Sequence, residues 1–267
     1  MTTSEWLKKY NIKLKKSLGQ NFLTVRSIAE EIVTKSLVTF EDTVIEIGSG
    51  IGILTEELAK RAKNVISFEI DERLKPLLIE KLKNYDNIEL IFKDFLKADL
   101  SQIRDYKKLK YVANIPYYIS SPILEKILKE SPNFDYAVLM FQKEFGGRMI
   151  AQAGKAYSPL SIFVQTYYDV DKIMDVSKTN FVPIPKVDSV VLKLTPNHKN
   201  LEELDPDKFM KFIHQCFSNR RKTLKNNLKS IISNPETLLK EIGLNELVRP
   251  EVVPIETYIK MYKRLEG

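Results

Sequence analysis

The stretch Val112-Ala113-Asn114-Ile115-Pro116-Tyr117-Tyr118-Ile119-Ser120-Ser121 places an amide, a proline and two aromatic rings directly after an apolar run. An amide beside a ring suits chemistry on a flat aromatic amine, a weak nucleophile whose lone pair is delocalised. The Asn114 side-chain oxygen and the carbonyl of Ile115 or Pro116 are expected to accept its two N–H groups. That favours a more tetrahedral nitrogen as it attacks, so no strong base is required. Tyr117 is expected to stack on the ring. Read alone, Asn-Ile-Pro-Tyr is equally a strand-ending turn, and the elements around it decide between the two.

Pro116 has no N–H and pushes Ile115 toward extended conformations, so a strand ladder stops there. Ser121 before Pro122 reads as a helix N-cap with proline at the first helical position, ahead of an apolar face of Ile123, Leu124, Ile127 and Leu128. The polar tip therefore lies between a strand and a helix, where open α/β sheets bind ligands. Upstream, the apolar run from Thr43 meets Gly48, Gly50 and Gly52 before a helical pattern. Such glycines let backbone approach a ligand at a helix N-terminus. The spacing is G-x-G-x-G, not the G-x-G-x-x-G of dinucleotide enzymes, which argues against a nicotinamide dehydrogenase. The next strand ends in Glu69, a carboxylate suited to ribose hydroxyls. The third ends in Asp94-Phe95, where Asp94 could hold an exocyclic adenine amine and Phe95 cover the ring; the alternative for Asp94 is a helix N-cap. Together these tips point to a nucleoside-containing ligand.

Five strand-helix alternations predict a doubly wound parallel sheet. Residues 173–176 and 187–194, joined by a proline-rich loop, predict an antiparallel hairpin at its edge. Phe181 in that loop is expected to sandwich a base against Tyr117, with a core anchor as the alternative. Residues 13–23 end in Gly19-Gln20-Asn21-Phe22-Leu23, expected to fold back over the ligand, and a helical face through Ile28, Ile32, Val33 and Leu37 follows. The polar stretch after Pro196 marks a boundary, giving domains 1–198 and 199–267. In the second, Asp205-Pro206 caps a helix with Phe209, Phe212, Ile213, Cys216 and Phe217 on one face. Arg220, Arg221, Lys222 and Lys225 lie in a stretch, 208–229, without an acid. They are expected to contact phosphates, although a solvated helix face is the alternative.

A net charge of +7 on 267 residues is compatible with a polyanionic partner. The single cysteine, Cys216, excludes an internal disulfide, and His198 and His214 with it offer no metal-ligand spacing, so no metal is expected. No stretch has signal-peptide or membrane-span character, and a cytoplasmic location is expected.

These motifs together resemble the small-subunit ribosomal RNA adenine dimethyltransferases, within the superfamily that also holds the large-subunit resistance methyltransferases. The resemblance covers essentially the whole chain. Lys16-Ser17-Leu18-Gly19-Gln20-Asn21-Phe22-Leu23 is similar to the family's N-terminal motif, 46–52 to its cofactor loop, and Asn114-Ile115-Pro116-Tyr117 to its catalytic tetrad. The Val187-Asp188-Ser189, Arg220-Arg221-Lys222-Thr223-Leu224 and Arg249-Pro250-Glu251 strings resemble the small-subunit branch. Ile115 and Tyr118 depart from it, standing where leucine and asparagine are frequent.

The resemblance implies a mostly parallel seven-stranded methyltransferase sheet with an antiparallel edge strand and a small all-helical C-terminal domain that binds RNA. It implies S-adenosylmethionine as cofactor, held by Asn21, Leu23, Gly48, Glu69, Asp94 and Asn114, with Gly50, Ile70 and Phe95 completing the set. It also implies dimethylation at N6 of two adjacent adenines near the 3′ end of the small-subunit (16S) rRNA. The expected partner is that RNA within a pre-assembled small ribosomal subunit, met by a monomer. Large-subunit methylation and a non-catalytic assembly factor are the rival readings.

Overall fold

The computed structural model of the chain describes residues 1–15, 19–103, 106–131 and 133–266. The Lys16, Ser17 and Leu18 part of the N-terminal motif lies outside them. α1 (Thr3–Lys9) starts at a capping box in which Thr2 N–H donates to Glu5 and Glu5 N–H donates to the Thr2 hydroxyl. β1 (Phe22–Leu23) is followed by α2 (Arg26–Lys35), which buries Ala29, Ile32 and Val33. Leu37, expected on that apolar face, is instead 67% exposed with φ +54°. The helix ends one residue before Ser36, whose N–H and hydroxyl bond to Ile32 and Val33 carbonyls, and the chain turns left-handed toward the sheet.

Strand and helix then alternate through β2 (Thr43–Ile47), α3 (Ile53–Ala59), β3 (Asn64–Phe68), α4 (Lys75–Leu82), β4 (Ile88–Ile91), β5 (Leu109–Asn114), α5 (Ser120–Glu130) and β6 (Tyr136–Gln142). α6 (Lys143–Met149), α7 (Pro159–Tyr167), β7 (Tyr168–Val176), β8 (Phe181–Val182) and β9 (Ser189–Pro196) follow. The helices α8 (His198–Glu203), α9 (Pro206–Cys216), α10 (Leu224–Leu228), α11 (Pro235–Glu241) and α12 (Ile255–Glu266) complete the chain. Among the described residues no helix is long and apolar enough to cross a membrane.

The seven-stranded sheet has the order β4-β3-β2-β5-β6-β9-β7. Every pair from β4 to β6 is parallel, and β9 runs antiparallel to β6. β2 is buried throughout, and β5 up to its last residue, as parallel strands covered on both faces must be. The chain winds outward from β2 to β4 and then returns to lay β5 on the other side of β2. The order therefore reverses between β2 and β5, and such a switch point leaves a crevice beyond the carboxyl ends of the two strands.

Phe181 does not stand in the open. Its ring is 0% exposed, Phe181 and Val182 pair antiparallel with Leu23 and Phe22, and it packs in the cluster that includes Leu23, Met140, Val176 and Val191. The expectation of a base-stacking Phe181 is thus corrected: the proline-rich loop turns this ring inward to tie the N-terminal segment to the sheet. Thr24 N–H and Oγ1, both donating to the Asn180 carbonyl, extend the tie.

The chain forms two compact units, residues 1–143 with 171–196 and residues 144–170 with 197–267. The second resumes at Asn197, next to the expected boundary, but it also takes 144–170, a stretch expected in the first domain. The reason is aromatic. Tyr167 of α7 meets Phe209 of α9 at 6.2 Å, Phe209 meets Tyr262 of α12 at 5.3 Å, and Tyr157 meets Phe217 at 6.3 Å. The Asp205 carboxylate caps α9 by accepting from Asp207 and Lys208 N–H groups, as expected.

Replacing Phe181 by Ala is expected to cost about 3–5 kcal/mol of stability, the usual loss for a buried ring, read as a lower denaturant midpoint. A ring that served only to stack on a base would leave that midpoint where it is.

Candidate active site

The carboxyl ends of β2, β3, β4 and β5 and the segment leading into β1 line one cleft whose walls are mostly apolar with a few polar groups, the make-up of a small-molecule site. Asn21, Leu23, Gly48, Gly50, Glu69, Ile70, Asp94, Phe95, Asn114, Pro116 and Tyr117 all line it; Phe181 does not.

The glycine loop approaches closely because nothing else fits. Gly50 has φ +55°, and a Cβ there would sit 2.9 Å from the Phe22 ring; Gly19 has φ +56°, and its Cβ would sit 2.8 Å from the Tyr118 ring. Tyr118, the departure from the family pattern, is 56% exposed and covers Gly19 at the cleft wall. Gln20 secures the same segment, with its amide donating to Asp71 at 2.8 Å and its oxygen accepting from Lys15 N–H at 2.8 Å.

Under the loop lies a buried polar chain. Glu46 accepts from the hydroxyls of Thr55 at 2.6 Å and Ser67 at 2.5 Å, and Ser67 shares a hydrogen with Ser49 at 2.6 Å. Burial pushes the Glu46 carboxyl up to about 7 against those hydrogen bonds. Lys81 donates to the Ile51 carbonyl at 2.7 Å, and burial lowers its ammonium to about 8. Glu69 is 6% exposed, accepting from Gly50 N–H and from Asp71 N–H, each at 2.8 Å. Burial raises it to about 7, opposed by those two N–H groups. Each oxygen keeps a second lone pair for a ligand hydroxyl.

Asp94 caps the turn at Phe95–Lys97 by accepting from Leu96 N–H at 3.0 Å, so the cap and the cleft share one side chain. Phe95 is 4% exposed, held T-shaped against Phe68 at 5.2 Å, and reaches the cleft from the core. Ile70 is 45% exposed at the cleft mouth.

Asn114 stands at the last register position of β5, opposite Met140. Its Nδ2 donates to the Asn21 carbonyl at 3.4 Å, which leaves Oδ1 as the acceptor. The Pro116 carbonyl accepts from Ile119 N–H at 3.2 Å, closing a 3₁₀ turn over Tyr117–Ile119. That turn runs directly into α5, so the helix begins at Ser120, two residues before the expected Pro122, and its cap position falls on Ile119, with no side-chain cap, in place of Ser121. The Tyr117 hydroxyl meets the Ser189 hydroxyl at 2.6 Å, and burial raises the Tyr117 phenol above its ordinary range. Ser189 is not among the expected site residues, although it belongs to the Val187-Asp188-Ser189 string. Strand periodicity does not reveal which tip its first residue touches.

The cation cluster divides. Arg220 donates to the Lys155 carbonyl at 2.9 Å and the Tyr157 carbonyl at 3.2 Å, a structural use; Lys225 pairs with Glu246 at 2.8 Å. The acid-free stretch is thus met by acids from further along the chain, while Arg221 and Lys222 stay exposed.

The donor set fits S-adenosylmethionine: a nearly buried carboxylate beside a glycine loop for the ribose, an acid and apolar walls for the adenine, and an amide oxygen at the adjoining tip. Comparison with known proteins agrees. A profile described as ribosomal RNA adenine dimethylase matches residues 11–267. The ribosomal RNA small subunit methyltransferase A of Thermotoga petrophila is 46% identical over 266 residues, covering 99% of this chain and 96% of that one. The protein of the same name from Bacillus pumilus is 44% identical over 281 residues, covering 99% and 95%. Among solved structures, a dimethyladenosine transferase from Plasmodium falciparum superposes with a TM-score of 0.77 at 30% identity, over 92% of this chain and 97% of that one. The 23S rRNA methyltransferase ErmE gives 0.72 at 28%, over 92% and 100%. Sequence and fold agree with the site, and the chain belongs to the ribosomal RNA adenine dimethylase family, the S-adenosylmethionine-dependent methyltransferases.

Proposed function

We propose that this chain transfers methyl groups from S-adenosylmethionine to N6 of adenines in small-subunit ribosomal RNA, twice per base, acting in the cytoplasm as a monomer on a partly assembled subunit. The two adjacent adenines near the 3′ end of 16S rRNA are the proposed targets. One observation carries the reading: a strand-end amide, with its oxygen unspent, adjoins a cleft built for a nucleoside.

When bound, the cofactor supplies a methyl group on a sulfonium, a good leaving group. The chain's own part is to hold the target. Asn114 Oδ1 accepts one hydrogen of the N6 amine. The second acceptor is assigned to the Ile115 carbonyl, since one of the two lone pairs of the Pro116 carbonyl already accepts from Ile119 N–H. Both acceptors oppose delocalisation of the lone pair, and Tyr117 stacks on the extracted base, whose unstacking costs a few kcal/mol. As the new N–C bond forms and the C–S bond breaks, the sulfur keeps the electron pair and N6 releases a proton to solvent. Glu69 takes the ribose hydroxyls and Asp94 the cofactor's adenine amine. Arg221 and Lys222, more than Lys225, contact RNA phosphates.

A large-subunit substrate is the second reading, since the ErmE likeness spans that whole chain. Labelled methyl transfer to each ribosomal subunit, isolated from a strain lacking the modification, separates the two. Label in dimethyladenine of small subunits is expected; label confined to large subunits would overturn the proposal. Asn114→Ala should lower turnover about 100-fold or more, since positioning is lost, while calorimetry finds cofactor affinity largely kept.

Glu69 sets the pH dependence. The ionised carboxylate accepts from ribose hydroxyls and attracts the sulfonium, so affinity should fall as pH drops through about 7. Stability moves the other way. Folding raises the Glu46 and Glu69 values above their unfolded ones, so their contribution is complete below about 4.5 and lost as pH rises through about 7. Calorimetric titration from pH 6 to 8 should therefore show tightening that Glu69→Gln flattens, while the melting temperature of the free protein carries the opposite slope from these two groups.

A further inference from the structure

One contact beside the cleft takes no direct part in the methyl transfer. Ser189 is 0% exposed at the start of β9, in register with Gln142 at the end of β6. The backbone on either side is tied down: Lys143 N–H donates to the Asp188 carbonyl at 2.9 Å, and the Asp188 carboxylate accepts from Lys178 N–H at 3.0 Å. The Ser189 hydroxyl meets the Tyr117 hydroxyl at 2.6 Å. Without that contact, Tyr117 would have a ring at the cleft wall and a half-buried hydroxyl held by nothing. With it, the ring that faces the target is fixed from behind by the antiparallel strand.

We infer that Ser189 is a positioning residue whose hydroxyl sets the Tyr117 ring, and that this matters most for the second methyl transfer to the same nitrogen. The inference rests on the N6 transfer proposed above. An unmodified amine offers two hydrogens, one to Asn114 Oδ1 and one to the Ile115 carbonyl. After the first transfer a methyl has replaced one of them, and only one hydrogen bond remains to orient the nitrogen. Orientation by hydrogen bonds is thereby halved, and the stacking surface must carry more of it. A ring free to tilt would pass the first step more readily than the second. In the second step the remaining N6 proton leaves as the new N–C bond forms, and the donor sulfur again retains the electrons of the broken C–S bond.

The test compares Ser189→Ala, Tyr117→Phe and the double variant. Both single changes remove the contact, and Tyr117→Phe keeps the ring. Each single variant should lower kcat/KM on unmodified small subunits by about 2- to 12-fold, the range for one hydrogen bond. The double variant should be no worse than the weaker single one, and cofactor affinity by calorimetry should be unchanged. Nucleotide analysis should show monomethyladenine accumulating over dimethyladenine in all three. Multiplying effects of the two changes, or a wild-type product ratio in Ser189→Ala, would overturn the inference. Failure of the wild-type protein to form any N6-methylated adenine would instead sink the function on which it rests.

Discussion

A proline that cannot donate a hydrogen bond governs this molecule. The ladder between β5 and β6 runs as far as Asn114 opposite Met140 and ends, because Pro116 has no N–H to continue it. One residue later the chain is already in a 3₁₀ turn that leads into α5. The amide of Asn114 is therefore delivered at the rim of the sheet, on the last residue of β5 that pairs with β6 and with a rigid strand behind it. Because the strand order reverses between β2 and β5, that rim is also where the crevice lies.

Around this tip the protein spends buried polar groups on holding backbone in place. Glu46, with its two hydroxyl donors, joins β2, β3 and α3 beneath the glycine loop, and Glu69 grips the loop from the side through Gly50 N–H. Both carboxyls sit where burial opposes their charge. Burial weakens the tendency of both to ionise, and a polar ligand with hydroxyls and a positive charge favours their ionised form. The N-terminal segment closes the same cleft through Phe22 on Gly50 and Tyr118 on Gly19, contacts that work only because those two positions lack a Cβ.

Much of this was legible from residue types and local spacing. Asn114, the three glycines, Glu69 and Asp94 each end or follow an apolar run, and a parallel sheet must bring such ends to one side. Asp94 was readable both as a cap and as a cleft residue, and it is both. Phe181, Leu37, Ser189 and the cation cluster were not legible in the same way. A lone Phe in a proline-rich loop has no local signal for inward or outward. Leu37 continues a helical period that the backbone abandons at Ser36. The partners of Arg220 and Lys225, at Lys155, Tyr157 and Glu246, are far away in the chain.

What the chain order and residue chemistry alone determined was the alternating α/β architecture, the polar strand ends and the class of ligand they suit. Periodicity, glycine and proline act within a few residues and need no partner to be read. Tertiary structure alone decided which rings face the cleft, which cations are left for a polyanion, that residues 144–170 fold with the C-terminal helices, and that a serine at the start of β9 holds the tyrosine beside Asn114. Those outcomes depend on which distant segments bury one another, and that is set by packing over the whole core.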